Sequence, residues 1–113
     1  MTIQELVSEL GLQVFSAGSM DRNVTGGYTS DLLSCVMAKA QAGNVWVTLQ
    51  AHPNVIAVAS LLDLAGVIVS EGIKPDLETI GKAQENGVML LGSSRTSYAV
   101  VCQLCELGIC GGD

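Results

Sequence analysis

Aromatic and basic side chains are both scarce in this 113-residue sequence. Aromatics make up 4% of the chain, so valine, leucine, isoleucine and alanine must fill its core. Five lysines and arginines stand against eleven acids, which gives a net charge of −6. A chain with so few bases has no cationic face to neutralise a nucleic-acid backbone or an anionic membrane surface. We therefore expect no nucleic acid and no membrane among its partners.

Long hydrophobic runs are also missing. The first residues, Met1 to Leu6, do not place a basic segment before an apolar one, so they do not resemble a signal peptide. No apolar stretch is long enough to cross a bilayer. We therefore expect a cytoplasmic protein, whose four cysteines are thiols or ligands rather than disulfides. The length and the 49% hydrophobic content predict a single folded domain over 1–113.

Glycine, in contrast, is frequent, and its spacing is regular. Five segments read as a helix-like run, a glycine and a short apolar run, and their glycines are Gly11, Gly43, Gly66, Gly87 and Gly108. Glycine just beyond a helix closes it in the left-handed conformation, and apolar runs of about four residues fit strands buried on both faces. The pattern predicts a three-layer α/β/α fold with a small, mostly parallel sheet of about four to five strands, built from successive βα units.

Helix starts support this interpretation. We expect caps or first-turn residues at Thr29 or Ser30, at Pro53, at Asp76, and at Thr96 or Ser97. The remaining tail, 109–113, is an incomplete unit, which leaves open a frayed tail, an edge strand or the cut end of a longer chain.

Ligands of parallel sheets bind where the strands end, beside the helix N-termini. Four predicted loops lie there, at 16–30, 50–54, 70–74 and 92–97, and they contain the only histidine and both arginines. Gly26 and Gly27 could present N–H groups to an anion, which Arg22 and Arg95 could clamp. The alternative is that these are ordinary polar loops and caps. The candidate ligand-binding residues are Arg22, Thr25, Gly26, Gly27, His52, Asn54, Glu71, Ser94 and Arg95.

Two rival functions follow from individual residues. His52 could serve a small enzyme as a general base, but no nucleophile or acid is identifiable by spacing, and such a histidine is more often bonded to backbone where a helix begins. Cys102, Cys105 and Cys110 could bind zinc or an iron–sulfur cluster. However, the first two fall in a predicted apolar helix, where cysteine acts as a small hydrophobe. We therefore expect no cofactor and no catalytic residues.

Several segments, taken in order, resemble the DRTGG domain family. They are Asp21-Arg22, Thr25-Gly26-Gly27-Tyr28 and Ser30-Asp31-Leu32-Leu33-Ser34, with Asn23-Val24 separating the first two. Further likeness comes from Trp46 to Asn54 and from the strand Gly66 to Val69, so the resemblance covers about residues 14–109.

The resemblance implies an α/β module related in fold to the N-terminal domain of HPr kinase/phosphorylase. Such domains accompany phosphotransacetylases and the regulatory region of some inorganic pyrophosphatases, and no activity of their own is established. The kinase activity does not carry over, because the phosphate-binding loop of that enzyme lies in another domain. We therefore expect a non-catalytic regulatory or ligand-sensing module that forms a homodimer and acts on a partner enzyme, with a small anion or nucleotide as ligand.

Overall fold

Helices and strands alternate along residues 1–111, which are the residues that the computed structural model describes. The elements, in chain order, are α1 (Ile3–Leu10), β1 (Gln13–Ser16), β2 (Gly26–Thr29), α2 (Leu33–Lys39), β3 (Asn44–Thr48), α3 (Pro53–Leu61), β4 (Gly66–Val69), α4 (Leu77–Asn86), β5 (Leu90–Gly92) and α5 (Ser97–Glu106). None of the helices in this range is long and apolar enough to cross a membrane.

The five strands form one sheet in the order β1-β5-β4-β3-β2. The strands β2 to β5 are parallel to their neighbours, and β1 pairs with β5 in the antiparallel direction. Every residue of β3, β4 and β5 is buried, as expected of central strands covered on both faces. The predicted small, mostly parallel sheet is confirmed.

Two separate hydrophobic clusters cover the faces of this sheet. On one face, Val45 and Val47 of β3 pack with Leu6 of α1 and Leu104 of α5. On the other face lie α2, α3 and α4, and the fully buried Trp46 contributes the largest side chain there. The Trp46 indole N–H donates to the Ser30 carbonyl at 2.8 Å, which satisfies its polar group inside the core. The three-layer α/β/α architecture is therefore confirmed.

Three of the five predicted helix-ending glycines do what was expected. Gly11 and Gly87 have φ of 60° and 65° and cap α1 and α4. Gly108, with φ of 83°, follows the last turn of α5, where Ile109 donates its N–H to the Leu104 carbonyl at 3.0 Å and closes the helix. Gly43 is also left-handed, in the turn that follows α2.

Gly66 does not end a helix, so that prediction is wrong. It is the first residue of β4, and a Cβ there would lie 3.3 Å from Cγ of Met89. The left-handed residue after α3 is instead Asp63, with φ of 56°. Aspartate is one of the few residues besides glycine that adopts this conformation at modest cost.

Three of the four predicted helix starts are confirmed. Pro53 occupies the first turn of α3, and the side chains of Asp76 and Thr96 accept the capping N–H groups of α4 and α5. The start of α2 was predicted wrongly, because its N-cap is Leu32 and no side chain caps it. The Ser30 hydroxyl instead accepts the N–H of Leu32 at 3.1 Å, which forms a turn ahead of the helix.

The segment 16–30 differs most from its prediction as a single loop. Strand β2 lies inside this segment, and β1 and β2 are the two outermost strands of the sheet. Because β1 is antiparallel, 17–25 crosses the edge of the sheet where the parallel strands begin, and there Val24 donates its N–H to the Met1 carbonyl. Ile109 is buried, and the Cys110 carbonyl accepts the N–H of Gly27 at the outer edge of β2. The last two residues of the predicted tail lie outside the described residues.

Candidate functional site

The two edges of the sheet have different chemistry, and the predicted site residues divide between them. The carboxyl edge is where β2 to β5 end, and it holds His52, Asn54, Glu71, Ser94 and Arg95. The amino edge is where these strands begin, and it holds Arg22 and Thr25. The two groups lie at opposite ends of the strands. The expectation that Arg22 and Arg95 clamp one anion is therefore wrong. Neither charge nor spacing in the sequence shows the direction of β1, which decides this placement.

At the amino edge, Arg22 and Thr25 have partners within the fold. The Arg22 guanidinium donates to both carboxylate oxygens of Asp63, at 2.7 and 3.1 Å, and to its carbonyl at 2.9 Å. The ion pair lowers the pKa of the Asp63 carboxyl and raises that of Arg22, chiefly through these hydrogen bonds. The Thr25 hydroxyl donates to the Ala42 carbonyl at 3.0 Å. Arg22 therefore fixes the segment before β2 to the turn after α3, and Thr25 fixes the same segment to the turn after α2.

Gly26 and Gly27 lie within β2 instead of a loop ahead of a helix. They pair with Asn44 and Val45, and the N–H of Gly27 donates to the Cys110 carbonyl at 3.0 Å. A Cβ on Gly26 would lie 2.8 Å from that carbonyl oxygen. The close approach of the chain explains this glycine, and the predicted exposed N–H pair before a helix is wrong.

His52 is the N-cap of α3. Its Nδ1 accepts the N–H of Asn54 at 3.1 Å, so the helix start is completed by an imidazole where serine or aspartate is more usual. No other hydrogen bond joins the His52 ring to any residue in 1–111. The pKa of the nearby Asp76 carboxyl is lowered, mainly by the N–H and hydroxyl of Thr79 and to a smaller extent by His52. The geometry matches the backbone-bonded alternative for this histidine and supplies no nucleophile for a catalytic one.

Asp31 holds two loops of the carboxyl edge together, although the sequence did not single it out as a site residue. Asp31 accepts the hydroxyl of Thr48 at 2.7 Å and the N–H of Leu49 at 2.9 Å. It ties the turn after β2 to the end of β3. Its position in a capping segment was the only signal available from the sequence.

Glu71 and the loop before α5 are closely linked. Glu71 is left-handed, with φ of 63°, and donates its N–H to the Arg95 carbonyl at 2.7 Å. Its carboxylate accepts the N–H of Ser97, the first residue of α5, at 2.7 Å. The Ser70 and Ser97 hydroxyls are also hydrogen-bonded. The Glu71 carboxylate therefore already occupies the N-terminus of α5, where the helix dipole favours a negative charge.

An open cleft of about 520 Å³ lies beside this linkage, between β1, β5 and two loops of the carboxyl edge. The ligand cleft, as we call it, is lined by Leu10, Gly11, Gln13, Phe15, Gly72, Ile73, Lys74, Gly92, Ser93, Ser94 and Arg95. The Lys74 ammonium donates to Gln13 Oε1 at 3.1 Å and lies 5.7 Å from the centroid of the Phe15 ring. Sequence reasoning found Ser94 and Arg95 but missed Gln13 and Phe15, because β1 was expected to run in the opposite direction. Lys74 lies in the predicted loop 70–74 but was not singled out as a candidate.

The cysteines proposed as alternative metal ligands lie on or after α5. Cys102, Cys105 and Cys110 are exposed free thiols. Within residues 1–111, no three cysteine, histidine or acidic side chains converge as a metal site would require. The zinc or iron–sulfur alternative thus gains no geometric support from the described part of the chain.

No family model matches the sequence, and no curated protein is significantly similar to it. Among solved structures, the chain is similar to the CBS and DRTGG domains of the regulatory region of Clostridium perfringens pyrophosphatase, complexed with the activator diadenosine tetraphosphate. The TM-score is 0.69 and the identity 12%, over 91% of this chain and 45% of that one. At this identity the likeness concerns the fold alone, and the chain spans less than half of that neighbour. The chain therefore shares an α/β fold with part of a CBS and DRTGG regulatory region.

Proposed function

We propose that this chain is a non-catalytic, DRTGG-like regulatory module, which binds a small anionic ligand or nucleotide at its carboxyl edge. The observation that carries the proposal is the ligand cleft. Two of the five bases in an acidic chain line it, and no carboxylate does. Concave sites with a few convergent polar groups are the usual places where proteins bind small molecules.

The structural neighbour supports a regulatory function over a catalytic one. That protein region regulates a pyrophosphatase and was solved with a nucleotide activator. By analogy of fold, we propose that this chain also transmits ligand binding to a partner enzyme. The analogy is one of architecture, so the ligand has to be found by experiment.

A homodimer is part of the proposal. A small sheet has two edges that need protection, and the described chain covers the β2 edge only through the Cys110 carbonyl. Exposed apolar side chains also stand at the helix starts of the carboxyl edge, where Leu77 is 87% and Tyr98 82% exposed. Light scattering after size-exclusion chromatography at micromolar concentration should give the mass of two chains. A monomer mass would overturn the dimer and leave ligand binding to be tested separately.

A thermal-shift screen against nucleotides and acyl phosphates tests ligand binding. A ligand that binds only the folded chain raises its melting temperature as the ligand concentration rises above the dissociation constant. We expect at least one such compound to stabilise the wild-type chain. If none does at millimolar concentration, and isothermal calorimetry also detects no heat of binding, the ligand-sensing function is wrong.

A further inference from the structure

The geometry of the ligand cleft points to the chemical class of its ligand: we infer that the cleft binds a phosphate-bearing dianion between Lys74 and Arg95. The inference rests on the proposed function, because it assumes that the carboxyl edge binds a ligand. It goes further by naming two cationic contacts, one of which the sequence did not indicate, and by excluding the helix terminus as the anion site.

Charge distribution is the first argument. Arg22 is neutralised by Asp63, and this is the only ion pair within residues 1–111. Lys74 and Arg95 come from different loops, and both line a cleft that no acidic side chain lines. In a chain of net charge −6, such a local concentration of positive charge is selective for anions.

Lys74 is held in position by its neighbours. Its ammonium has three donors, one of which bonds to Gln13, and it also lies over the Phe15 ring. The ring itself rests on Gly92, where a Cβ would overlap its edge. The cation is therefore placed before a ligand arrives, and two of its donors remain for that ligand.

Arg95 is held through its backbone. Its N–H donates to the Ser93 hydroxyl at 3.2 Å, and its carbonyl accepts the N–H of Glu71 at 2.7 Å. The loop is thus anchored on both sides of the residue, while the side chain lines the cleft. A guanidinium presents paired donors whose spacing matches two phosphate oxygens.

The N-terminus of α5, which would otherwise attract an anion, is closed to the ligand. The Glu71 carboxylate already accepts the N–H of Ser97 at 2.7 Å. A second anion at the same donor would meet like-charge repulsion, so the ligand should lie on the Lys74 side of the 93–95 loop.

Two cations and two serine hydroxyls suit a phosphate better than a carboxylate. A monocarboxylate brings one negative charge and would leave one of the two cations unmatched. A phosphate monoester or diphosphate brings about two charges and at least three acceptor oxygens. Nucleotides, acyl phosphates and inorganic phosphates share this chemistry, and the experiment below separates them.

Isothermal calorimetry at low salt, with inorganic phosphate, pyrophosphate, adenosine diphosphate and acetyl phosphate as probes, tests the inference, and acetate serves as the carboxylate control. We expect at least one phosphate probe to bind and acetate to bind at least about tenfold more weakly. Lys74→Ala and Arg95→Ala should each raise the dissociation constant of that probe about tenfold or more, because each removes a charge-assisted contact. Lys39→Ala removes an equal charge from α2, outside the cleft, and should change it less than about twofold.

The outcomes separate the two levels of the proposal. Loss of binding in Lys74→Ala and Arg95→Ala, with Lys39→Ala unchanged, would support the phosphate site. If a phosphate probe binds both cleft variants as tightly as wild type, the placement is wrong although the ligand-sensing function stands. The phosphate inference is also wrong, although an anion-sensing function stands, if acetate is the only one of these compounds that binds. If neither the four probes nor the wider screen gives binding, both the inference and the proposed function fail. Circular dichroism of each variant should match wild type, so that a folding defect is not mistaken for lost binding.

Discussion

Arg22 and Asp63 lie 41 residues apart in the sequence and form a three-bond contact at the amino edge, with their closest atoms 2.7 Å apart. The contact joins the segment that crosses to β2 with the turn that ends α3. The contact pairs the charge of Arg22 at the amino edge, opposite the edge where a ligand is proposed to bind. It also stabilises a left-handed aspartate at a position where glycine would be more usual.

Asp63→Asn should lower stability slightly, because asparagine tolerates the left-handed backbone but loses the ionic contact. The pair is exposed, so we expect the melting temperature at pH 7 to fall by no more than about 4 °C. Since Arg22 lowers the folded-state pKa of Asp63, the stabilisation exists above the pKa of an unfolded aspartate and is lost as the pH falls below it. The difference between wild type and variant should therefore shrink below about pH 3.9. An undiminished difference at pH 2.5, measured by thermal denaturation, would contradict the ionic explanation.

Gly92→Ala should deform the ligand cleft, because the new Cβ would overlap the Phe15 ring on which Lys74 rests. We expect a loss of about 1–3 kcal/mol in the free energy of unfolding, the usual range for overpacking. Gly81→Ala in α4 is the matched control. Nothing lies within 4 Å of a Cβ there, so this variant should gain about 0.5–1 kcal/mol from helix propensity. Urea denaturation of both variants measures this, and equal effects would refute the close contact.

His52→Ala should remove the N-cap acceptor of α3 and lower stability by about 0.5–2 kcal/mol. His52→Asn should recover most of that loss, because asparagine is a favoured N-cap and can accept the same N–H. Chemical denaturation gives the comparison. If asparagine fails to recover stability, the capping explanation is wrong. If it recovers stability while both variants lose ligand binding equally, His52 is a ligand contact as well as a cap.

Thiol titration under native conditions should find three rapidly reacting cysteines, Cys102, Cys105 and Cys110, and slower reaction at the half-buried Cys35. Elemental analysis of protein purified without oxygen should show no zinc or iron near one equivalent per chain. A stoichiometric metal that also protects the three fast thiols would contradict this expectation and restore the metal-binding alternative.

Local sequence signals predicted the helices and central strands well, for identifiable reasons. Pro53, Asp76 and Gly87 act through their own backbone or capping chemistry, which depends little on distant residues. Continuous apolar runs such as the one around Trp46 are likewise typical of buried parallel strands, and all residues of β3 are buried.

Prediction failed where a distant partner decides the structure. Gly26-Gly27 has the composition of a turn, but it becomes a strand because β3 on one side and the Cys110 carbonyl on the other satisfy its backbone. The direction of β1 depends on its pairing with β5, which no local pattern shows. These two errors placed Arg22, Thr25, Gly26 and Gly27 at the wrong ends of the strands and concealed that Gln13 and Phe15 line the same cleft as Arg95.

The antiparallel pairing of β1 with β5 also bears on the order of folding. The walls of the ligand cleft come from three segments, 10–15, 72–74 and 92–95, so forming it requires contact between residues remote in sequence. Such long-range contacts carry a large loop-closure entropy and tend to form late. A partly folded chain with β1 detached would have no cleft. A ligand in that cleft would therefore act as a clamp on the first strand and slow its local opening.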